Sequence, residues 1–235
     1  MKKLLQSLFV FGLILSPPAL TQAGDDVVMV ELFTSQGCSS CPPADANLAQ
    51  LVQREDVLAL SMHVDYWDYL GWKDTFASPE HTKRQINYRN AMGARVIYTP
   101  QMVVHGRFDV PGYRPDQIEE AIGSAYRVPR KASIAIKPED GMLKAVISSV
   151  GVVRDCTIWV ASYNRAATVK IQRGENAGEN ITYHNIVENL MRVGSRKSDD
   201  IQEVALPQPT PGTGVAIWLQ EKDSGRIVTA SFING

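Results

Sequence analysis

Three cysteines in 235 residues are too few for the cross-linked framework of a secreted miniprotein. Neither sign of charge is in excess. Lys and Arg number 24 against 25 Asp and Glu, a formal net charge of −1, which argues against the basic face of a nucleic-acid binder and against an acidic disordered tail. Seventeen Gly and 13 Pro give no collagen-like or linker-like enrichment, and no internal repeat or low-complexity stretch is present. The motifs of common catalytic classes are missing too: there is no G-x-S-x-G, no phosphate loop and no G-x-G-x-x-G. What remains is 44% hydrophobic, the profile of a folded chain with one large domain or two small ones.

The one extended apolar run lies at the N-terminus. Lys2 and Lys3 precede a stretch from Leu4 to Leu15, Pro17 and Pro18 break it, and Thr21-Gln22-Ala23 follows. This reads as a secretory signal peptide over residues 1–23, cut after Ala23; the alternative is an N-terminal anchor that is never cleaved. The run is short for a transmembrane helix, and no Cys near the cut offers a lipid attachment point. The expectation is a secreted or periplasmic protein with no membrane anchor after cleavage, in a compartment where disulfides persist.

Two textures follow. Over 24–129, strand-like runs (Val27 to Phe33, Val57 to Val64, Val96 to Val104) alternate with helical spacing (Ala44 to Gln53, Ser78 to Met92, and Ile118, Ala121, Ile122 and Ala125). A turn or hairpin is expected from Arg107 to Gly112. This is an α/β pattern. Over 130–235 short strand candidates are punctuated by Gly, Asn, Asp and Pro, among them Ile158 to Tyr163, Val169 to Gln172, Ile181 to Val193 and Val215 to Gln220. These predict an all-β, sandwich-like domain.

The chemistry concentrates in Phe33-Thr34-Ser35-Gln36-Gly37-Cys38-Ser39-Ser40-Cys41-Pro42-Pro43, between a buried strand and a helix. A cysteine at a helix N-terminus faces unpaired N–H groups and the positive end of the helix dipole, which favour thiolate. A second cysteine three residues on can close a ring, so Cys38 reads as nucleophile and Cys41 as resolving thiol. Ser39 and Ser40 stand where they can hydrogen-bond the sulfur. A zinc ribbon needs a second pair, and the third cysteine, Cys156, precedes an apolar strand and reads as buried and inert. A purely structural disulfide is the bland alternative.

A second signal is Tyr98-Thr99-Pro100-Gln101, a proline at the opening of a strand. Together these segments resemble the thioredoxin superfamily. More closely, the chain is similar to a family of secreted thioredoxin-like proteins of unknown function, through the segment Glu31 to Pro43, His63-Val64-Asp65-Tyr66-Trp67, Tyr98-Thr99-Pro100-Gln101 and Arg173-Gly174-Glu175-Asn176. The resemblance implies a thioredoxin-like α/β domain followed by the β domain. It implies a cis bond before Pro100 that faces the cysteine pair, with Thr99 beside it. It also implies that Glu31 lies beneath the disulfide and takes the proton of the resolving thiol; the alternative for Glu31 is a strand-end carboxylate with a salt-bridge partner.

The stretch from Cys41 to Pro100 is longer than in a minimal thioredoxin, and the insertion is placed at Asp65 to His81. It carries Tyr66, Trp67, Tyr69, Trp72 and Phe76. Tyr66, Trp67 and Trp72 are candidate substrate-docking residues, since aromatics dominate binding hot spots; simple packing on the neighbouring helix is the alternative. His63 and Asp65 alternate at a strand end, either as a hydrogen-bonded terminus or, with the two thiolates, as a soft-metal site for Cu(I) or Zn.

Two functions follow as expectations. The first is an exported thiol–disulfide oxidoreductase, needing no cofactor and no resident metal, whose partners are protein thiols or disulfides and a redox partner protein. The second is a non-enzymatic metal (copper) carrier or binding module.

Overall fold

The computed structural model describes residues 21–22, 27–139, 141–151, 155–196 and 200–235. Apart from the Thr21–Gln22 bridge, the proposed signal segment lies outside them.

The elements run β1 (Thr21–Gln22), β2 (Val28–Thr34), α1 (Pro42–Leu51), β3 (Val57–His63), a 3-10 turn (Asp68–Leu70), α2 (Pro79–Met92), β4 (Gln101–Val104), β5 (Phe108–Pro111) and α3 (Pro115–Tyr126). Seven strands follow: β6 (Ala132–Glu139), β7 (Met142–Ser149), β8 (Cys156–Lys170), β9 (Asn180–Arg196), β10 (Gln202–Leu206), β11 (Thr213–Glu221) and β12 (Ile227–Asn234). Each of the three helices among the described residues opens on proline, whose fixed φ and missing N–H suit that position. In α2 the Ser78 hydroxyl also accepts from the Glu80 amide, and Gly93 closes the helix at φ 68°.

The architecture is mixed α/β, with a nine-stranded mixed sheet, in the order β1-β12-β11-β8-β9-β3-β2-β4-β5, and a three-stranded antiparallel sheet, β10-β7-β6. Strands β2 and β3 run parallel from Val28 opposite Val57 to Thr34 opposite His63. Strand β4 pairs antiparallel with β2, which sets Gln101 opposite Phe33. A single parallel bridge, Ser61 to Ile186, joins β3 to β9 and makes the large sheet continuous.

Alternation along β2 sends Val28, Val30 and Leu32 into a core under α1 and α3, and Met29 and Phe33 into a second core with Tyr88 of α2 and Trp218 of β11. A third core lies between the small sheet and β8, β11 and β12. There Cys156 is fully buried, and burial, with the charges of Glu221 and Asp155, pushes its thiol up to about 11.

Two strand expectations are corrected. Ile158 to Tyr163 and Val169 to Gln172 are not separate: β8 is continuous, and its ladder to β9 persists to Lys170 opposite Asn180 although residues 165–170 leave the core. The apolar pattern stops there while the hydrogen bonds do not. At Val96 to Val104 only Gln101–Val104 is strand; Pro100, with no N–H to give a ladder, starts it, and Val96 is exposed.

The hairpin turn after β4 fixes the approach of the two halves. Gly106 has φ 62°, and a Cβ there would lie 2.2 Å from the carbonyl of Gly225. Gly106→Ala is therefore expected to cost about 3 kcal/mol or more in urea unfolding, from left-handed strain plus overpacking. Gly141→Ala, at φ 76° with nothing within 4 Å, should cost only about 1–2 kcal/mol. Equal losses would contradict the close approach.

Candidate functional site

Cys38 and Cys41 form a disulfide. Their loop is built by successive turns: the Cys38 amide donates to Ser35 O at 3.1 Å, the Cys41 amide to Cys38 O at 3.2 Å, and the amides of Ala44 and Asp45 to Cys41 O at 2.8 and 3.1 Å. Cys41 thus caps α1 through its backbone, and Cys38 stands just ahead of the helix. Both cysteines are buried, while Ser39 and Ser40 between them are exposed.

The Thr99–Pro100 peptide bond is cis. The Thr99 hydroxyl lies 3.3 Å from Cys38 Sγ and accepts from Trp67 Nε1 at 2.8 Å. Gly112 closes the far side: its amide donates to Pro100 O at 3.0 Å, and a Cβ there would meet Ala44 of α1 at 2.8 Å.

The aromatic insertion reaches the same loop. Trp72 Nε1 donates to Gln36 Oε1 at 2.8 Å, and Tyr69, exposed, stacks on Trp67 at 6.5 Å between centroids. The backbone around Trp67 packs directly on Gly37, where a Cβ would come within 3.2 Å of Trp67 Cβ. Of the three candidate docking residues, Trp67 and Trp72 border the disulfide loop. Tyr66 turns instead to α2, where its hydroxyl donates to Gln85 Oε1 at 3.2 Å.

The Arg173–Asn176 loop, between β8 and β9, arrives from the other half of the chain. Asn176 Nδ2 lies 2.9 Å from both the Gln36 and Cys38 carbonyls. Glu175 Oε2 accepts from the Ser39 hydroxyl at 2.7 Å and from its amide at 3.2 Å. Ser39 therefore serves Glu175 rather than the sulfur, whereas Ser40 Oγ is 3.5 Å from Cys38 Sγ.

Glu31 is buried in β2, and its oxygens are taken by the guanidinium of Arg84 and the hydroxyl of Tyr88. Arg84 also donates to Gln220 Oε1 at 3.0 Å and lies over the rings of Tyr88, Trp159 and Trp218. The structure thus gives Glu31 a salt-bridge partner within a network that ties β2 to α2 and β11.

Two carboxylates not singled out in the sequence lie close to the disulfide. Asp74 Oδ2 accepts from the Gln36 amide at 2.8 Å and lies 2.8 Å from His63 Nδ1; its Oδ1 accepts from the Phe76 amide at 2.8 Å. Burial by itself raises Asp74, but His63 and these amides outweigh it and hold the carboxyl below its ordinary value. An ionised Asp74 accepts a hydrogen bond from Nδ1–H of His63, which leaves Nε2 facing away from it. That Nε2 is buried without a hydrogen-bond partner, as are the Thr34 and Tyr183 hydroxyls and both oxygens of Asp45. The Tyr183 ring meets His63 edge-on at 4.7 Å. Asp65 turns to α2, where it accepts from the Thr82 hydroxyl at 2.6 Å, while His63 pairs with Asp74.

Asp45 stands one helical turn after Cys41, on the same face. Burial pushes its carboxyl up to about 7, against the opposing pull of His63. An acid in the first turn of a helix ordinarily signals a solvated charge at the dipole, so nothing in the sequence marked it as buried. Among the described residues no group of three or more His, Cys, Asp or Glu is placed to hold a metal ion. No described helix is long and apolar enough to cross a membrane.

Known proteins place this site in context. A family of proteins of unknown function, DUF1223, matches residues 29–220. No curated protein matches. The crystal structure of AGR_C_4864 from Agrobacterium tumefaciens is 33% identical, with a TM-score of 0.78 over 91% of this chain and 96% of that one. HBP35 of Porphyromonas gingivalis, 14% identical, shares the fold at a TM-score of 0.62 over 88% of this chain and 74% of its own.

The Asp45 carboxyl carries a sign that can be tested. Its folded pKa is raised from 3.8 to about 7, so between those values the folded chain holds a proton that the unfolded chain has lost. Stability contributed by this group falls as pH rises through that window, by on the order of 4 kcal/mol. Asp45→Asn removes the dependence. In urea unfolding the variant should gain on the wild type from pH 4 to about pH 7 and level off above it, and a pH-independent difference would contradict the assignment.

Proposed function

The chain belongs to this family of unknown function, DUF1223, and on that premise we propose that it is an exported, thioredoxin-like thiol–disulfide oxidoreductase. It exchanges disulfides with protein substrates through Cys38 and Cys41. The observation that carries the reading is the disulfide at the N-terminus of α1, with the Thr99 hydroxyl 3.3 Å from Cys38 Sγ. Added support comes from the order of β2, α1, β3, α2, the β4–β5 hairpin and α3, which resembles a thioredoxin unit.

In the reducing direction the Cys38 thiolate attacks one sulfur of a substrate disulfide. A Cys38–substrate disulfide forms, and the first substrate sulfur leaves as thiolate. Cys41 then passes its proton to the Asp45 carboxylate and attacks Cys38 Sγ. The Cys38–Cys41 disulfide forms, and the second substrate sulfur leaves. Oxidation of a substrate dithiol is the reverse. Cys41 is fully buried, so water cannot readily take its proton, and an acceptor titrating near neutrality suits the task. In this reading Asp45, rather than Glu31, fills the role of proton acceptor. The stacked Trp67 and Tyr69, with Trp72, form the docking surface.

The test uses purified protein and a disulfide-bonded substrate protein. Cys38→Ser should abolish exchange, and Cys41→Ser should accumulate a mixed disulfide through Cys38. Asp45→Asn should slow release from that mixed disulfide about 100-fold while leaving its formation unchanged. Exchange undiminished in Cys38→Ser would overturn the reading.

A further inference from the structure

The β8–β9 loop is fixed on both sides of Glu175. Gly174, at φ 80°, packs on the aromatic insertion, where a Cβ would come within 3.3 Å of Trp72 Cβ. Asn176, buried, donates to the Gln36 and Cys38 carbonyls. The loop also closes on itself: the Gly178 amide donates to Ile171 O at 2.8 Å, and the Ile171 amide to Glu179 O at 2.9 Å. Glu175 is exposed, yet its carboxylate is delivered to one place, the amide and hydroxyl of Ser39.

Ser39 lies inside the ring that the disulfide closes. Among the described residues Glu175 is the charged side chain that bonds to this ring. The other contacts are neutral: the Thr99 and Ser40 hydroxyls at Cys38 Sγ, and Asn176 at the Cys38 carbonyl. Asp74 bonds to the Gln36 amide, outside the ring, and Asp45, in the first turn of α1, is held protonated up to about pH 7 by burial. No Lys, Arg or His among the described residues forms an ion pair with Glu175.

Reduction of the disulfide adds two electrons. The S–S bond breaks, Cys41 takes up one proton as the thiol, and Cys38 carries the new negative charge as thiolate. Backbone N–H groups ahead of a helix favour that thiolate. Glu175 opposes it twice, since it occupies the Ser39 amide, the first N–H after Cys38, and adds a like charge at the ring.

On the exchange reading given above, we propose that Glu175 is a positioning residue that acts through Ser39 to set the direction of electron flow. By disfavouring the Cys38 thiolate it favours the disulfide over the dithiol, so the reduced pair gives its electrons to a substrate disulfide. The substrate's S–S bond breaks as the Cys38–Cys41 bond forms. A partner protein's dithiol then restores the two thiols and becomes a disulfide itself. The second half of the chain thus supplies a part of the redox centre.

The experiment equilibrates the purified full chain, wild type and Glu175→Gln, in glutathione buffers and counts thiols by alkylation. The rate of Cys38 alkylation in the reduced protein is followed against pH by mass spectrometry. Gln keeps an oxygen for Ser39 and removes the charge. The equilibrium constant for reduction should rise about fivefold in the variant, which is about 20 mV for a two-electron couple. Its Cys38 should become reactive at lower pH. Both differences should shrink in about 1 M sodium chloride, which screens an exposed charge; a purely structural effect of the substitution would not. Glu179→Gln, at an exposed position of the same loop, should change neither quantity. An unmoved potential and pH profile in Glu175→Gln, or an equal shift in Glu179→Gln, would overturn the proposal and leave exchange through Cys38 standing. A wild-type pair that glutathione cannot reduce would overturn the exchange reading itself, and this inference with it.

Discussion

Asp74 is the buried carboxylate on which the candidate site depends. One of its oxygens holds the Gln36 amide and His63, and the other holds the Phe76 amide. Through these bonds it joins the disulfide loop, the end of β3 and the aromatic insertion. A buried charge survives only where hydrogen bonds replace its lost water, and here the replacement fixes three segments relative to one another. Gln36, held this way, then receives Trp72 Nε1 on its side chain and Asn176 on its carbonyl. The loop is therefore positioned from several directions before any substrate arrives.

The same logic explains why the two halves act as one body around the disulfide. The β8–β9 loop reaches across to the Cys38 and Gln36 carbonyls through Asn176, and to Ser39 through Glu175. A second tie, Glu31–Arg84–Gln220, spans β2, α2 and β11 in an aromatic enclosure. Removing either partner of a buried ion pair of this kind leaves an uncompensated charge, which makes Glu31 a structural anchor first. Asp45 differs: its oxygens have no hydrogen-bond partner, so the group resists ionisation and holds a proton near neutrality. Glu31 and Asp45 thus differ in kind, and their surroundings decide which is which.

Local chemistry was legible in the sequence where one segment carries its own signal. Ser78, Pro79 and Glu80 start α2 and Gly93 ends it, as their residue types require. The cysteine spacing and the helix after it gave the disulfide loop, and Thr99-Pro100 the strand start beside it. What could not be read depends on partners distant in sequence. Asn176 lies 140 positions from Gln36, and no local pattern announces that contact. Asp45 sits in the first turn of α1, where an acid is ordinarily solvated, and its burial depends on packing that no local pattern announces. Strand β8 was divided because hydrophobic alternation reports burial, whereas its outer half is held by backbone hydrogen bonds alone.

Electron exchange between the Cys38–Cys41 pair and other thiols is tested most directly by the reduction potential of the pair. The purified protein is equilibrated in glutathione buffers, and the free thiols are counted by alkylation. An exchange-active pair should be reduced reversibly between about −120 and −270 mV, the span of such dithiols. A pair that glutathione cannot reduce, with a potential below about −300 mV, would be a structural cross-link and would contradict it.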